Sequence, residues 1–92
     1  MTLTNFEDFS RQALAQGFDE VLERHWAPDT VLGTHTHPFS AMAVVTQGQM
    51  WLTVNGQTQA LQRGDRFELG RDTAHEERYG PEGATFWVAR RH

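Results

Sequence analysis

Asn55-Gly56 is the feature that most constrains the fold, because of where it stands. It joins Met50-Trp51-Leu52-Thr53-Val54 to Gln57-Thr58-Gln59-Ala60-Leu61. A two-residue connection between such runs needs positive φ at both turn positions, and Asn-Gly supplies it. The pair therefore marks an antiparallel hairpin. Other turn signals punctuate the chain after Gly17: Pro28-Asp29, Gln47-Gly48, Arg63-Gly64-Asp65, Gly70-Arg71-Asp72 and Gly80-Pro81. Short runs with Val, Leu, Trp, Phe and Thr lie between them. Turns at intervals of roughly 8–12 residues indicate an all-β sandwich or barrel. No second helical pattern is long enough to build a βαβ unit.

Before Gly17 the pattern differs. Thr4-Asn5-Phe6-Glu7 reads as a capping box, with the Thr4 hydroxyl accepting from the Glu7 amide and the Glu7 carboxylate reaching back. Phe6, Phe9 and Ala13 then share one helical face, and Gly17 is a natural stop. The spacing predicts a helix over Asn5 to Gln16. Residues 1–18 are expected to form a helix packed on a barrel of residues 19–92, one domain overall. A chain of 92 residues is near the lower end of what one core supports.

Charge and composition narrow the function classes. The formal net charge is −4, which argues against a broad basic surface for nucleic acid or anionic membrane. The one basic cluster, Arg90-Arg91-His92, reads as a solvated tail. There are no cysteines, so disulfides and thiolate metal sites are excluded. The first residues include early acidic positions and no unbroken apolar run, unlike a secretory signal or a membrane span. A cytoplasmic location is the resulting expectation.

His35 and His37 carry the chemistry. On a strand their side chains point the same way, a spacing that suits two ligands on one ion. Taken alone, they are most simply two solvent-facing strand residues. A third imidazole changes the reading: His75 lies after the Gly70-Asp72 turn, where another strand should begin. On that strand Thr73, His75, Glu77 and Tyr79 would share one face, with Glu77 ~7 Å beyond His75 and Glu76 pointing outward. The strand parity of His25 is not fixed by the sequence, and His92 is expected to fray as the terminal residue. Trp26, Trp51 and Trp87 are either pocket-lining or, more simply, core or interface residues.

The chain resembles the cupin superfamily. The first cupin motif runs glycine, His-x-His, glutamate, glycine, and here the frame falls on Asp29, His35, His37, Ala41 and Gly48. The second runs glycine, proline, glycine, histidine, asparagine, and its frame here includes Gly64, Gly70, Asp72, His75 and Tyr79. The intermotif stretch Gln49 to Arg63 is like that of compact microbial members. The resemblance covers about Val21 to Val88. It implies a small single-domain cupin, a double-stranded β-helix or jelly-roll barrel of about six to eight strands, with one N-terminal helix.

It also implies metal ligation by His35, His37 and His75 in a site lacking the usual glutamate, since Ala41 takes its place. One divalent transition ion is expected, of zinc, iron, manganese, nickel or copper. Glu77 is then a candidate general base or outer ligand and Tyr79 a candidate hydrogen-bond donor to a bound ligand, the two catalytic candidates; no organic cofactor site is read. The expected partner is a small-molecule ligand or substrate, with no nucleic acid and no membrane. In metal shell the site resembles three-histidine dioxygenases. A non-catalytic sensor module and a metal-dependent isomerase are the alternatives, because this fold hosts many functions. A homodimer packed through an outer face carrying Met42, Val44 and Trp51 is also expected.

Overall fold

The computed structural model describes residues 5–92. Helix α1 spans Phe6–Ala15. Its N-cap is Asn5, whose side-chain oxygen accepts from the Asp8 amide at 2.8 Å. That satisfies one of the donors a helix start leaves unpaired. The capping role expected of Thr4 falls outside the described residues. Phe9 and Ala13 bury themselves against Val44 and Ala89, and Trp87 packs on Phe6 and Phe9 with ring centroids 5.8 and 5.9 Å away. Burying Phe9 alone is worth roughly 1.5–3 kcal/mol. The helix stops at Gly17, as its sequence suggests, with φ +93°.

Six strands follow: β1 (Glu20–Trp26), β2 (Val31–His35), β3 (Ser40–Val54), β4 (Gln57–Gln62), β5 (Arg66–Leu69) and β6 (His75–Arg91). All pairings are antiparallel. β3 and β6 are long and pair with each other from Ser40↔Arg91 to Thr53↔Glu76. Their other edges are divided. The first half of β3 takes β5 and the second half β4. The first half of β6 takes β2 and the second half β1. Two faces result, ordered β1-β6-β3-β5 and β2-β6-β3-β4, joined where the long strands bend. This is the jelly-roll arrangement expected.

The Asn55-Gly56 hairpin forms as read, with φ of +52° and +76° and Val54 opposite Gln57. Two other turn signals do not end strands. Gln47-Gly48 lies inside β3 and Gly80-Pro81 inside β6. They form the bent corner, where the register slips between Val45 and Gln47 and again between Gly48 and Met50. The slip reverses the side-chain parity of both strands. Ala41, Ala43 and Val45 face the core before the corner, and Met50 and Leu52 after it. The corner is tight: a Cβ on Gly48 would lie 2.1 Å from the Gly83 carbonyl oxygen.

Three expectations are corrected here. Val44 is no free outer residue; α1 covers it, and only 7% is exposed. The terminal His92 is held, its amide donating to Asp19 Oδ2 at 2.8 Å. Arg90 is not part of a solvated tail, because it belongs to β6 between Glu20 and Ala41 and lines the cavity between the two faces. Two departures from the glycine pattern also find their reason. Asp29 and Asp72 have φ of +59° and +60°, a left-handed conformation that Asp tolerates better than most residues.

Gly48→Ala and Gly56→Ala separate backbone strain from the corner clash. Both glycines have φ +76°, but nothing lies within 4 Å of a Cβ on Gly56. Gly56→Ala should cost only the left-handed penalty, roughly 1–2 kcal/mol, and Gly48→Ala clearly more. Urea unfolding of both variants checks this; equal losses would mean the corner has room.

Candidate metal centre

Between the two faces lies an open cavity of about 430 Å³. Its wall is largely apolar, with Trp26, Phe39, Phe67 and Phe86 among the lining residues. The sequence-predicted histidines converge at it. His35 ends β2 and pairs with His75 at the start of β6. Leu32 pairs with Glu77 on the same strands, and the register shifts between the two pairs. That irregularity lets Leu32 and His35, three positions apart, both line the cavity, as a bulge near a site often does. His37 is not on the strand as expected but lies beyond the end of β2. Its carbonyl accepts from the Asp72 amide at 2.8 Å, and its ring stacks on Phe39 with centroids 4.8 Å apart.

The three imidazole rings lie with centroids 4.2, 5.0 and 5.1 Å apart. Two have their tautomer set by the backbone. His35 Nδ1 is 2.7 Å from the Gly33 carbonyl and His75 Nδ1 is 2.8 Å from that of Thr73. A carbonyl can only accept, so each Nδ1 carries its proton and each Nε2 keeps a lone pair for the interior. His37 is held below the ordinary histidine range, by burial first and then by the neighbouring His75 and His35 rings and Arg90, with Glu77 opposing. It is therefore neutral and able to donate its lone pair at neutral pH.

Glu77 completes the cluster and changes the expected site. Its Oε2 lies 3.0 Å from His35 Nε2 and 3.4 Å from His75 Nε2. One ligand atom each from His35, His37, His75 and Glu77 falls within 4.8 Å of the others. The site does not lack a carboxylate; strand β6 supplies it two residues after His75, while Ala41 lines the same cavity without one. Tyr79 is 1% exposed and donates to Glu77 Oε1 at 2.5 Å. Its ring stacks on Trp26 at 5.2 Å. Burial, then the charge and hydrogen bond of Glu77, push the phenol pKa far up, so the proton stays on Tyr79. The phenol thus orients Glu77 and leaves Oε2 turned to the histidines.

The cluster fits a divalent ion on its own structural grounds. His75 is 2% exposed, and its Nε2 is buried without a hydrogen-bond partner; the 3.4 Å approach to Glu77 lacks the alignment of a bond. A buried polar atom left unpaired is costly. A cation at the convergence of these atoms would satisfy it, and three imidazoles with one carboxylate suit a transition ion. The other histidines stay outside. His25 turns away, with Nδ1 2.9 Å from Thr85 Oγ1 and Nε2 3.1 Å from Glu23 Oε1. His92 approaches Glu20.

A model of the cupin domain family, Cupin_2, matches residues 22–87. The chain belongs to this family. No curated protein matches it. Among solved structures, an RmlC-like cupin from Shewanella frigidimarina is similar at a TM-score of 0.67 and 18% identity, over 78% of this chain and 65% of that one. A structure of the DMSP lyases RdDddP and RnDddQII gives 0.71 and 19%, over 78% and 37%. A protein of unknown function from Rhizobium leguminosarum gives 0.70 and 17%, over 99% and 96%. The cupin chain thus spans less than two thirds of the first two, and the likeness to all three is one of fold. Among the described residues no helix is long and apolar enough to cross a membrane.

Sequence reasoning missed Arg24 and Arg90, which line the cavity. The signal for Arg24 was present: Leu22, Arg24 and Trp26 share one parity, so a charge stands on an apolar face. For Arg90 the corner slip hid the parity.

If Tyr79 orients Glu77, Tyr79→Phe should weaken binding of added Zn²⁺ or Co²⁺ by roughly tenfold or more. Chelator competition measures this. An unchanged affinity would show that Glu77 needs no such support.

Proposed function

We propose that this cupin binds one divalent transition ion through His35, His37, His75 and Glu77, and uses it to hold and act on a small molecule. The reading rests above all on the buried, unpartnered His75 Nε2 at the convergence of the four donors. A bound ion of this class supplies Lewis acidity to a chelating substrate, and redox chemistry where it is iron, manganese, nickel or copper. The protein's own part is to hold the donors still. Backbone carbonyls fix two imidazoles, Tyr79 fixes the carboxylate, and aromatic side chains line the rest of the cavity.

Within that reading, an oxidoreductase of dioxygenase type acting on a chelating substrate is the preferred activity. Tyr79, too buried to meet a ligand directly, acts as a positioning residue. Glu77 would be one of the ion's ligands, and its carboxylate is also able to accept a proton. We also propose a homodimer, packed through the outer side of the β2-β6-β3-β4 face, which carries the half-buried Trp51; Met42 lies on the other face beside α1. A monomer in sedimentation at tens of micromolar would count against that assembly.

Elemental analysis of protein purified without an affinity tag tests the metal directly. Near-stoichiometric transition metal is expected, and the His35/His37/His75 triple-alanine variant should lose it, since protein ligands and protons compete for the same lone pairs. Undiminished metal in that variant would refute the site. Oxygen uptake with a panel of chelating substrates then separates an enzyme from a non-catalytic binding module: uptake that follows the metal supports the enzyme, and none across the panel supports the module.

A further inference from the structure

Two guanidinium groups face the same cavity as the metal cluster. Arg24 comes from β1 and Arg90 from the far end of β6. Arg24 packs over the Trp26 ring, 5.1 Å from its centroid, and makes no ion pair among the described residues. Arg90 packs over Phe39 at 4.6 Å. Its Nη1 makes a long contact to Glu20 Oε1 at the rim, 3.4 Å, but its Nε is buried with no hydrogen-bond partner. Across the strands Arg90 is flanked by Glu20 on β1, which takes only Nη1, and by Ala41 on β3. Directly opposed side chains are close enough to bond, yet alanine offers no acceptor. Its Nε is thus a buried donor left unmatched, and buried donors are rarely left so.

We infer that the ligand of this cavity is a small organic acid, whose carboxylate is received by Arg90 and Arg24 while its apolar body lies against the aromatic wall. The inference rests on the metal-site reading only for the far end of the ligand. Three facts on the protein side carry it. The first is charge: Arg24 has no carboxylate partner, Arg90 has only the long contact to Glu20, and Glu77 accepts from Tyr79. The second is shape, since a guanidinium edge matches a carboxylate in two parallel bonds. The third is the wall, where Trp26, Phe39, Phe67 and Phe86 suit a hydrocarbon or aromatic body but not a sugar phosphate. Phe39 and Trp26 also hold the two guanidiniums flat by cation–π contact, so less freedom is lost on binding.

Calorimetry on the protein as purified tests this with three acids and their neutral amides: lactate, mandelate and hexanoate against lactamide, mandelamide and hexanamide. At least one acid should bind roughly tenfold or more tightly than its amide. That preference should fall by about the same factor in Arg90→Gln and in Arg24→Gln, with metal content unchanged. Ala41→Glu is the second probe. It places a carboxylate opposite Arg90 and should remove the preference without touching either arginine. If no acid outbinds its amide, or the preference survives Arg24→Gln/Arg90→Gln, the inference is wrong. Elemental analysis keeps the two proposals apart. A metal-free protein that still prefers acids through its arginines refutes the metal site alone, and a metalloprotein without the preference refutes this inference alone.

Discussion

The pairing of β3 with β6 is the constraint on which the rest of the structure depends. Each strand serves both faces, so each must bend, and an antiparallel pair can bend sharply only where its ladder is broken. The break falls at Gly48 and Gly83, both with positive φ and both with neighbouring backbone carbonyls where a Cβ would stand. Its consequence reaches the site. Before the corner, β6 turns His75, Glu77 and Tyr79 inward; after it, Ala84, Phe86, Val88 and Arg90. Odd positions give way to even ones. Without the slip, Trp87 would enter the cavity and Arg90 would leave it.

The metal cluster is built from short-range constraints placed on that frame. Each of His35 and His75 is fixed by a carbonyl two residues earlier, so its orientation is decided by its own strand. Glu77 is fixed by the residue two positions on. These contacts run along one edge of the β2–β6 pair, and little is left to long flexible side chains. Such a cluster is preorganised. It is also costly while its inner lone pairs converge with no cation between them, because like dipoles and a carboxylate are crowded in a low-dielectric interior. A protein keeps such an arrangement at functional sites more readily than elsewhere.

Local chemistry made much of this legible in the sequence. The Asn55-Gly56 turn, the Phe9–Ala13 helix face and the strand parity of His75, Glu77 and Tyr79 all follow from side-chain type and period, and all appear in the structure. What was hidden depends on non-local pairing. Gln47-Gly48 and Gly80-Pro81 have the composition of turns, yet each continues a strand, because a partner across the sheet bends with it. The slip at that corner is invisible to a count along one strand, so Arg90 read as a basic tail. His37 shows the same limit on a smaller scale. Its alignment with His35 comes from a loop held by Asp72, not from strand alternation.

The carboxylate illustrates why motif position and site chemistry must be kept apart. Reading the motif alone, Ala41 marks a loss, and the site seems one ligand short. In three dimensions the carboxylate comes from the opposite strand at Glu77, and the donor set is intact in kind. The exchange is not neutral for the rest of the cavity. Ala41 is one cross-strand neighbour of Arg90 and Glu20 is the other, so a carboxylate at position 41 would stand on the second side of that guanidinium. With the acid on β6 instead, Glu77 accepts from Tyr79, and Arg90 Nε remains an unmatched buried donor. Moving one carboxylate between strands thus does two things at once. It keeps four donors together that could hold a cation, and it leaves a donor free for an anion beside Phe39. A ligand carrying its own carboxylate would restore the balance, which ties the metal cluster and the arginines to a single occupant of the cavity.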